Sequence, residues 1–301
     1  MPNLELNRWQ ERPPMQLARA GCATGVVGGK LIIAGGTYWR DGKKYWCADV
    51  DLFDPAANRW DSAAPMPQPH GDAPAAALGD TFHVLGGGAD GLPTATVLAF
   101  KGGAWSVRPE MTLPAPRRSS AAAVLDQTVY LFGGLAGTGT DFASSTSTFW
   151  SYEAGRGWQS LPSLPGTTRF NTAVGAVGGR IIVAGGCAAV AAGQVQNLDD
   201  IFAYDPRTRT WSLAGKLPVP SRGAHGLAHG DRLLYFGGYT DKFETGVLSI
   251  DPASGRVEAI GQLPCGLADT RFLRLGSSIF GLTGEDGVKR RFSRTIEASL
   301  G

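Results

Sequence analysis

The sequence predicts an all-β chain folded as a six-bladed β-propeller, and three periodic features predict it. Five Gly-Gly doublets each end a short apolar run: Gly35-Gly36, Gly86-Gly87, Gly133-Gly134, Gly185-Gly186 and Gly237-Gly238. A degenerate sixth copy is Thr283-Gly284, and successive copies lie 51, 47, 52, 52 and 46 residues apart. In phase with them, Trp9, Trp60, Trp105, Trp158 and Trp211 each stand six residues before a Met or Leu, and Val257 marks a worn sixth copy. Third, Asp-Pro and Gly-containing turns (FDPAANRW, FAYDPRTRTW, SIDPASGRV) separate two short strands in each repeat. A repeat near 50 residues that carries four strands is one propeller blade.

Each element follows from this frame. The first strand of a blade is the small-residue run after the Met/Leu-Pro, such as CATGVV or NTAVGAV. The second is the apolar run that ends at the glycines. The third precedes the turn, and the fourth carries the tryptophan, whose flat ring suits the seam between blades. The blades are expected at 17–67, 68–112, 113–165, 166–218, 219–264 and 265–301. The sixth lacks a tryptophan strand, whereas Trp9 has no blade in front of it. Residues 1–16 are therefore expected to supply the outer strand of the last blade, which removes the open edge of the ring.

Composition narrows the function classes. Glycine makes up 43 of 301 residues, with 43% of the chain hydrophobic, which suits tight turns rather than disorder. The net charge of +2 comes without a basic tail, so nucleic acid is not expected as a partner. No apolar stretch is long enough for a membrane span. MPNLELNRWQERPP lacks the apolar core of a signal peptide, and a cytoplasmic location is expected, or a periplasmic one if a leader was removed. Cys22, Cys47, Cys187 and Cys265 show no metal spacing and are expected as free thiols. His225 and His229 are four apart without a third ligand nearby, and no P-loop, GxSxG or HExxH motif occurs. No metal or cofactor is expected.

The meander places the glycine doublets and the entries to the first strands on one face. Sixteen residues before each first glycine, or before Thr283 in the sixth copy, stand Arg19, His70, Arg117, Arg169, Ser221 and Leu267, with Arg118 beside Arg117, Arg222 beside Ser221 and Arg271 four residues past Leu267. Cations converging on one mouth suit an anionic ligand, although an arginine there also suits carbonyls in the seam. The first loop on this face, TYWRDGKKYW, brings Tyr38, Trp39 and Arg40, an aromatic and cationic set fit for sugar rings, phosphate esters or acidic peptides. The residue after each second glycine is Thr37, Gly88, Leu135, Cys187, Tyr239 and Glu285, so Glu285 is the only acid in that series.

These motifs together resemble the kelch proteins over essentially the whole chain. Within that group, six blades, an arginine-lined mouth and the stretch TGEDGVKRRFSRT resemble the bacterial sialic acid mutarotases, also called N-acetylneuraminate epimerases. The resemblance implies an acidic sugar such as N-acetylneuraminate as ligand. It also implies mutarotation, in which a base takes the anomeric proton and an acid protonates the ring oxygen. Glu285 is the expected base and His70 or Tyr38 the acid, while Arg19, Arg117, Arg118, Arg169, Arg222 and Arg271 would hold the carboxylate. The alternative from another class is a non-catalytic module that binds an acidic peptide or protein loop.

Overall fold

In the computed structural model, which describes residues 4–300, six four-stranded antiparallel sheets stand around a central channel. Blade 1 runs outward from Ala23–Val27 through Lys30–Ala34 and Val50–Asp54 to Arg59–Ala63. The same order repeats in blades 2 to 5. Their innermost strands are Ala75–Leu78, Ala121–Leu125, Ala173–Val177 and His225–His229. In blade 6, Arg271–Leu275, Ser278–Leu282 and Thr295–Ser299 are completed by Gln10–Arg12, which pairs with Thr295, Ile296 and Glu297. The innermost strands touch in chain order, and that of blade 6 returns to that of blade 1. The N-terminal segment thus closes the ring as its unpaired tryptophan predicts; residues 1–3 of it, and Gly301, lie outside the described residues.

The core is divided among the seams. Six apolar clusters each draw on two adjacent blades, such as Ile32 with Phe82, Phe132 with Tyr204 and Phe53 with Phe280. Phe236 of blade 5 stacks on Phe272 of blade 6, with ring centroids 4.2 Å apart. Second strands such as LIIA and LLYF are buried on both faces, which is why they read as continuous apolar runs. The tryptophans tie each blade to the one before it. Trp105 Nε1 donates to Ala64 O at 2.8 Å, Trp158 to Met111 O at 2.8 Å, and Trp211 to Pro162 O at 2.8 Å. Trp60 donates to Pro13 O at 2.9 Å and Trp9 to Gln262 O at 3.0 Å, so the same bond recurs on both sides of the closure.

The glycine doublets have a physical cause. Both residues of each doublet take positive φ, for example 61° and 90° at Gly133 and Gly134. A Cβ on Gly133 would lie 2.5 Å from the Arg169 carbonyl oxygen of the next blade, so no side chain fits. The second glycine spends its N–H on that same carbonyl: Gly36 on His70, Gly87 on Arg117, Gly134 on Arg169, Gly186 on Ser221, Gly238 on Leu267, and Gly284 on Arg19. The last of these bonds crosses from blade 6 to blade 1, so the degenerate Thr283-Gly284 still performs the doublet's task.

Candidate functional site

Three consecutive residues at the entry to each innermost strand do three different jobs. The first is a buried strut. Arg19 and Arg169 have no exposure at all. Arg19 bonds Asp51 at 2.5 Å, and Arg169 bonds Asp200 at 2.5 and 3.0 Å and the Gly185 carbonyl at 3.2 Å. Arg117 bonds the Pro116 carbonyl at 2.8 Å and lies over the Trp150 ring. His70 is buried, with Nδ1 3.0 Å from the Gly86 carbonyl and Nε2 3.2 Å from Gln68. These four side chains brace their own blades and do not line the channel, because the strand entry turns the residue into the sheet.

The second residue pairs with the one after its own glycine doublet, in all six blades: Ala20 with Thr37, Gly71 with Gly88, Arg118 with Leu135, Phe170 with Cys187, Arg222 with Tyr239, and Ala268 with Glu285. The third residue forms a belt at the mouth. Gly21, Asp72, Ser119, Asn171, Gly223 and Asp269 all have φ between 50° and 66°. Each N–H from Asp72 onward donates to the belt carbonyl of the preceding blade, at 2.7–3.3 Å. Positive φ favours Gly, Asn and Asp, which is what this series mostly contains.

Below the belt lies a cavity of about 550 Å³, within the range of small-molecule sites. Its charged lining is Lys44, Asp72, Arg118, Asp269, Arg271, Glu285 and Arg291. Apart from Arg118, blades 3 and 4 contribute neutral polar groups, among them Ser119, Ser120, Asn171 and Thr172. Glu285 is ion-paired with Arg291, whose guanidinium also donates to Thr37 Oγ1 at 2.9 Å and to its carbonyl at 3.2 Å. Arg118 is clasped by the carbonyls of Gly137 and Gly139. Lys44 lies 3.6 Å from Asp72. Among the described residues the Arg271 guanidinium, on a residue whose backbone pairs with Leu282, makes no side-chain hydrogen bond and no ion pair within 4 Å, and Arg271 lines the cavity.

Burial sets the protonation states. The Asp269 carboxyl is raised above its ordinary value, first by burial; Arg271 opposes the shift, and the charge of Asp72 adds to it. His225, in the cavity wall, is pushed down to about 3 by burial and then by Arg271, so its ring is neutral at ordinary pH. Burial drives the Cys22 thiol up to about 12, which leaves it inert as a nucleophile.

The structure therefore brings Arg118, Arg271 and Glu285 together at the cavity, and leaves Arg19, His70, Arg117 and Arg169 outside it. Arg222 and Trp39 line an adjoining groove. Tyr38 stacks on Tyr45 at 5.4 Å with Arg40 above its ring, so these two close the loop on itself; alternation along Thr37–Arg40 sends only Thr37 and Trp39 toward the mouth. Sequence reasoning missed Asp72, Asp269, Asn171 and His225. The signal available for the belt was the Gly/Asp/Ser/Asn series two residues after the strut.

Comparison with known proteins agrees with this architecture. A family model described as KLHDC2/KLHL20/DRC7 Kelch-repeats domain matches residues 73–284, and a Kelch motif model matches residues 18–67. The chain is 27% identical to the Kelch-like protein terF of Aspergillus terreus over 80% of its own length and 53% of that protein. It is 28% identical to an N-acetylneuraminate epimerase of Haemophilus influenzae over 49% of its length and 38% of that protein. The chain thus spans about half or less of the curated relatives it matches. The solved structure of YjhT superposes with a TM-score of 0.78 at 14% identity, covering 94% of this chain and 95% of that one, a likeness of fold.

Proposed function

The chain belongs to the kelch-repeat proteins, and from that premise we propose that its channel mouth binds an acidic sugar of the N-acetylneuraminate class and interconverts its anomers. The observation that carries this reading is Arg271. Its guanidinium lines the cavity with no hydrogen bond or close ion pair to the protein, only the longer-range charge of Asp269; such a group is a ready anchor for a carboxylate, and Arg118 and Lys44 line the same cavity. The neutral wall of Ser119, Ser120, Asn171 and Thr172 suits hydroxyl and amide groups at the other end of the ring. The likeness to proteins named N-acetylneuraminate epimerase supports the substrate class.

Anomer exchange needs one group that accepts a proton and one that donates it. Glu285, ion-paired with Arg291 at the mouth, is assigned as the acceptor of the anomeric hydroxyl proton. Asp269, whose burial favours the protonated form, is assigned as the donor to the ring oxygen, in place of the buried His70 and the stacked Tyr38. The proton balance closes when the ring re-forms on the other face: the ring hydroxyl returns its proton to Asp269, and Glu285 returns its own to the anomeric oxygen.

NMR saturation exchange on N-acetylneuraminate tests this directly. The unsubstituted protein should accelerate exchange between anomers, and Glu285→Gln should lower the rate by ~10²–10⁴-fold while binding holds. Failure of the unsubstituted protein to accelerate exchange of any acidic sugar would overturn the enzymatic reading. It would favour a binding module for an acidic peptide, as suits relatives named only Kelch-like.

A further inference from the structure

A second recess opens beside the cavity. Hairpin Thr37–Arg40/Lys43–Trp46 of blade 1, hairpin Glu285–Gly287/Arg290–Arg291 of blade 6 and the 239–243 loop of blade 5 enclose a groove of about 350 Å³. It shares Lys44, Asp269, Glu285 and Arg291 with the cavity, so one elongated ligand could occupy both. Its own walls are Trp39, Tyr239, Phe243, Arg222 and Lys289.

The walls are built rather than loose. Tyr239 and Phe243 meet edge to face at 5.1 Å, and the Arg222 guanidinium lies 4.6 Å from the Tyr239 ring centroid. Arg222 donates to Asn197 Oδ1 at 2.6 Å, and Asn197 Nδ2 donates back to the Tyr239 and Thr240 carbonyls at 2.9 and 3.2 Å. On the opposite side the Lys289 ammonium sits 5.0 Å from the Trp39 ring centroid. Aromatic faces thus alternate with cationic donors.

That alternation selects the occupant. A wholly apolar substituent would desolvate Lys289 without an acceptor and leave Arg222 only Asn197 Oδ1, at a cost. A sugar ring offers C–H faces to the aromatics, and a carboxylate on it answers the cations. Chemistry fixes where such a ring is attached. The ring in the cavity must keep its anomeric hydroxyl free to open and reclose, so any further unit hangs from another of its hydroxyls. We propose that the groove is a second subsite for an acidic sugar residue, linked through a non-anomeric hydroxyl of the ring whose anomers are exchanged. This rests on the reading of the cavity given above.

Isothermal titration of the full chain with N-acetylneuraminate and with its α2,8-linked dimer separates the two claims. The dimer keeps a free anomeric centre on one ring and places a second carboxylate beyond it. It should bind roughly tenfold tighter or more, the scale of one charge-assisted contact. Lys289→Gln and Phe243→Ala should each erase most of that advantage and leave monosaccharide affinity in place. Lys289 is on an exposed hairpin, so its variant serves if Phe243→Ala disturbs the loop, with melting temperature as the control on folding. Monosaccharide binding with no gain for the dimer, or a gain that both variants preserve, would overturn the subsite alone. Absence of binding by either sugar would overturn the acidic-sugar reading and the subsite together.

Discussion

At Asp269 a carboxyl is set at the mouth of a cavity between Arg271, which favours its charge, and Asp72, which opposes it; Arg291 and Lys44 also reach it. Burial outweighs the cations, and the folded value rises above the ordinary 3.8. Between those two pH values the native state holds a proton that the unfolded chain has lost, so stability falls as pH rises through the window and stays lower above it. Asp269→Asn removes that penalty. Thermal melts across pH should show the variant more stable at neutral pH, with the difference closing near pH 4. A variant less stable than the parent at neutral pH would show that the Arg271 attraction dominates instead. The neighbouring strut positions explain why these acids were hard to read. Arg19 and Arg169 stand out in the sequence by charge and period, yet each is consumed by an aspartate of its own blade, Asp51 or Asp200. A periodic arginine meets a packing demand inside the blade that carries it, so its recurrence reports architecture. The groups that differ from blade to blade, Asp72, Asp269 and Glu285, carry the asymmetry a ligand can use.

The strands, turns and doublets were legible because each is fixed by local chemistry. Asp54 Oδ1 accepts from the Ala56 and Ala57 N–H groups at 3.0 Å, the side-chain-to-backbone turn that Asp-Pro signals, and Asp205 and Asp251 repeat it. The glycine doublets were legible as a pattern, but their reason, a carbonyl of the next blade where a Cβ would be, is a tertiary fact. It yields a prediction for a single element. Gly133→Ala adds a Cβ 2.5 Å from the Arg169 carbonyl at φ 61°, with backbone rather than a flexible side chain as the obstacle. The strain alone is of order 1–3 kcal/mol, and relieving the clash would pull Gly134 from its bond to the same carbonyl. Chemical denaturation should show a loss of at least about 2 kcal/mol. Gly178→Ala, in a hairpin turn at φ 57° with open space around the added carbon, should cost less, since only the backbone preference is affected. Equal losses at the two sites would mean that the seam carbonyl can move aside. The hairpins on the mouth face were less legible: TYWRDGKKYW was readable as an aromatic and cationic loop, but which rings turn inward depends on its pairing register.

The whole molecule is held by a repeated seam, and the seam made at closure is the one that joins the two ends of the chain. Leu6 is buried in the cluster between blades 5 and 6, with its N–H on the Ile260 carbonyl at 2.8 Å and its own carbonyl accepting from Gln262 at 3.1 Å. Trp9 packs edge to face against Phe236 and Phe272, and Arg12 pairs with Glu297 at 2.6 Å. Across the other side, Trp60 of blade 1 reaches Pro13 and Thr295 Oγ1. A chain lacking residues 1–12 loses the outer strand of blade 6, uncovers the edge of Thr295–Ser299 and exposes Phe236 and Phe272. Large-to-small changes at a buried Leu such as Leu6 cost about 2–5 kcal/mol, and the half-buried Trp9 adds a smaller loss, so removing both corresponds to a drop in melting temperature of several degrees or more. The loss should extend beyond blade 6. In an open array each repeat leans only on its neighbours, whereas a closed ring makes every seam depend on the last. Hydrogen exchange on the truncated chain should therefore show reduced protection in blades 1 and 5 as well as blade 6, with blade 3 affected least. An unchanged melting temperature, or a loss confined to Thr295–Ser299, would mean that the ring is held by its innermost strands and that the N-terminal strand only covers an edge.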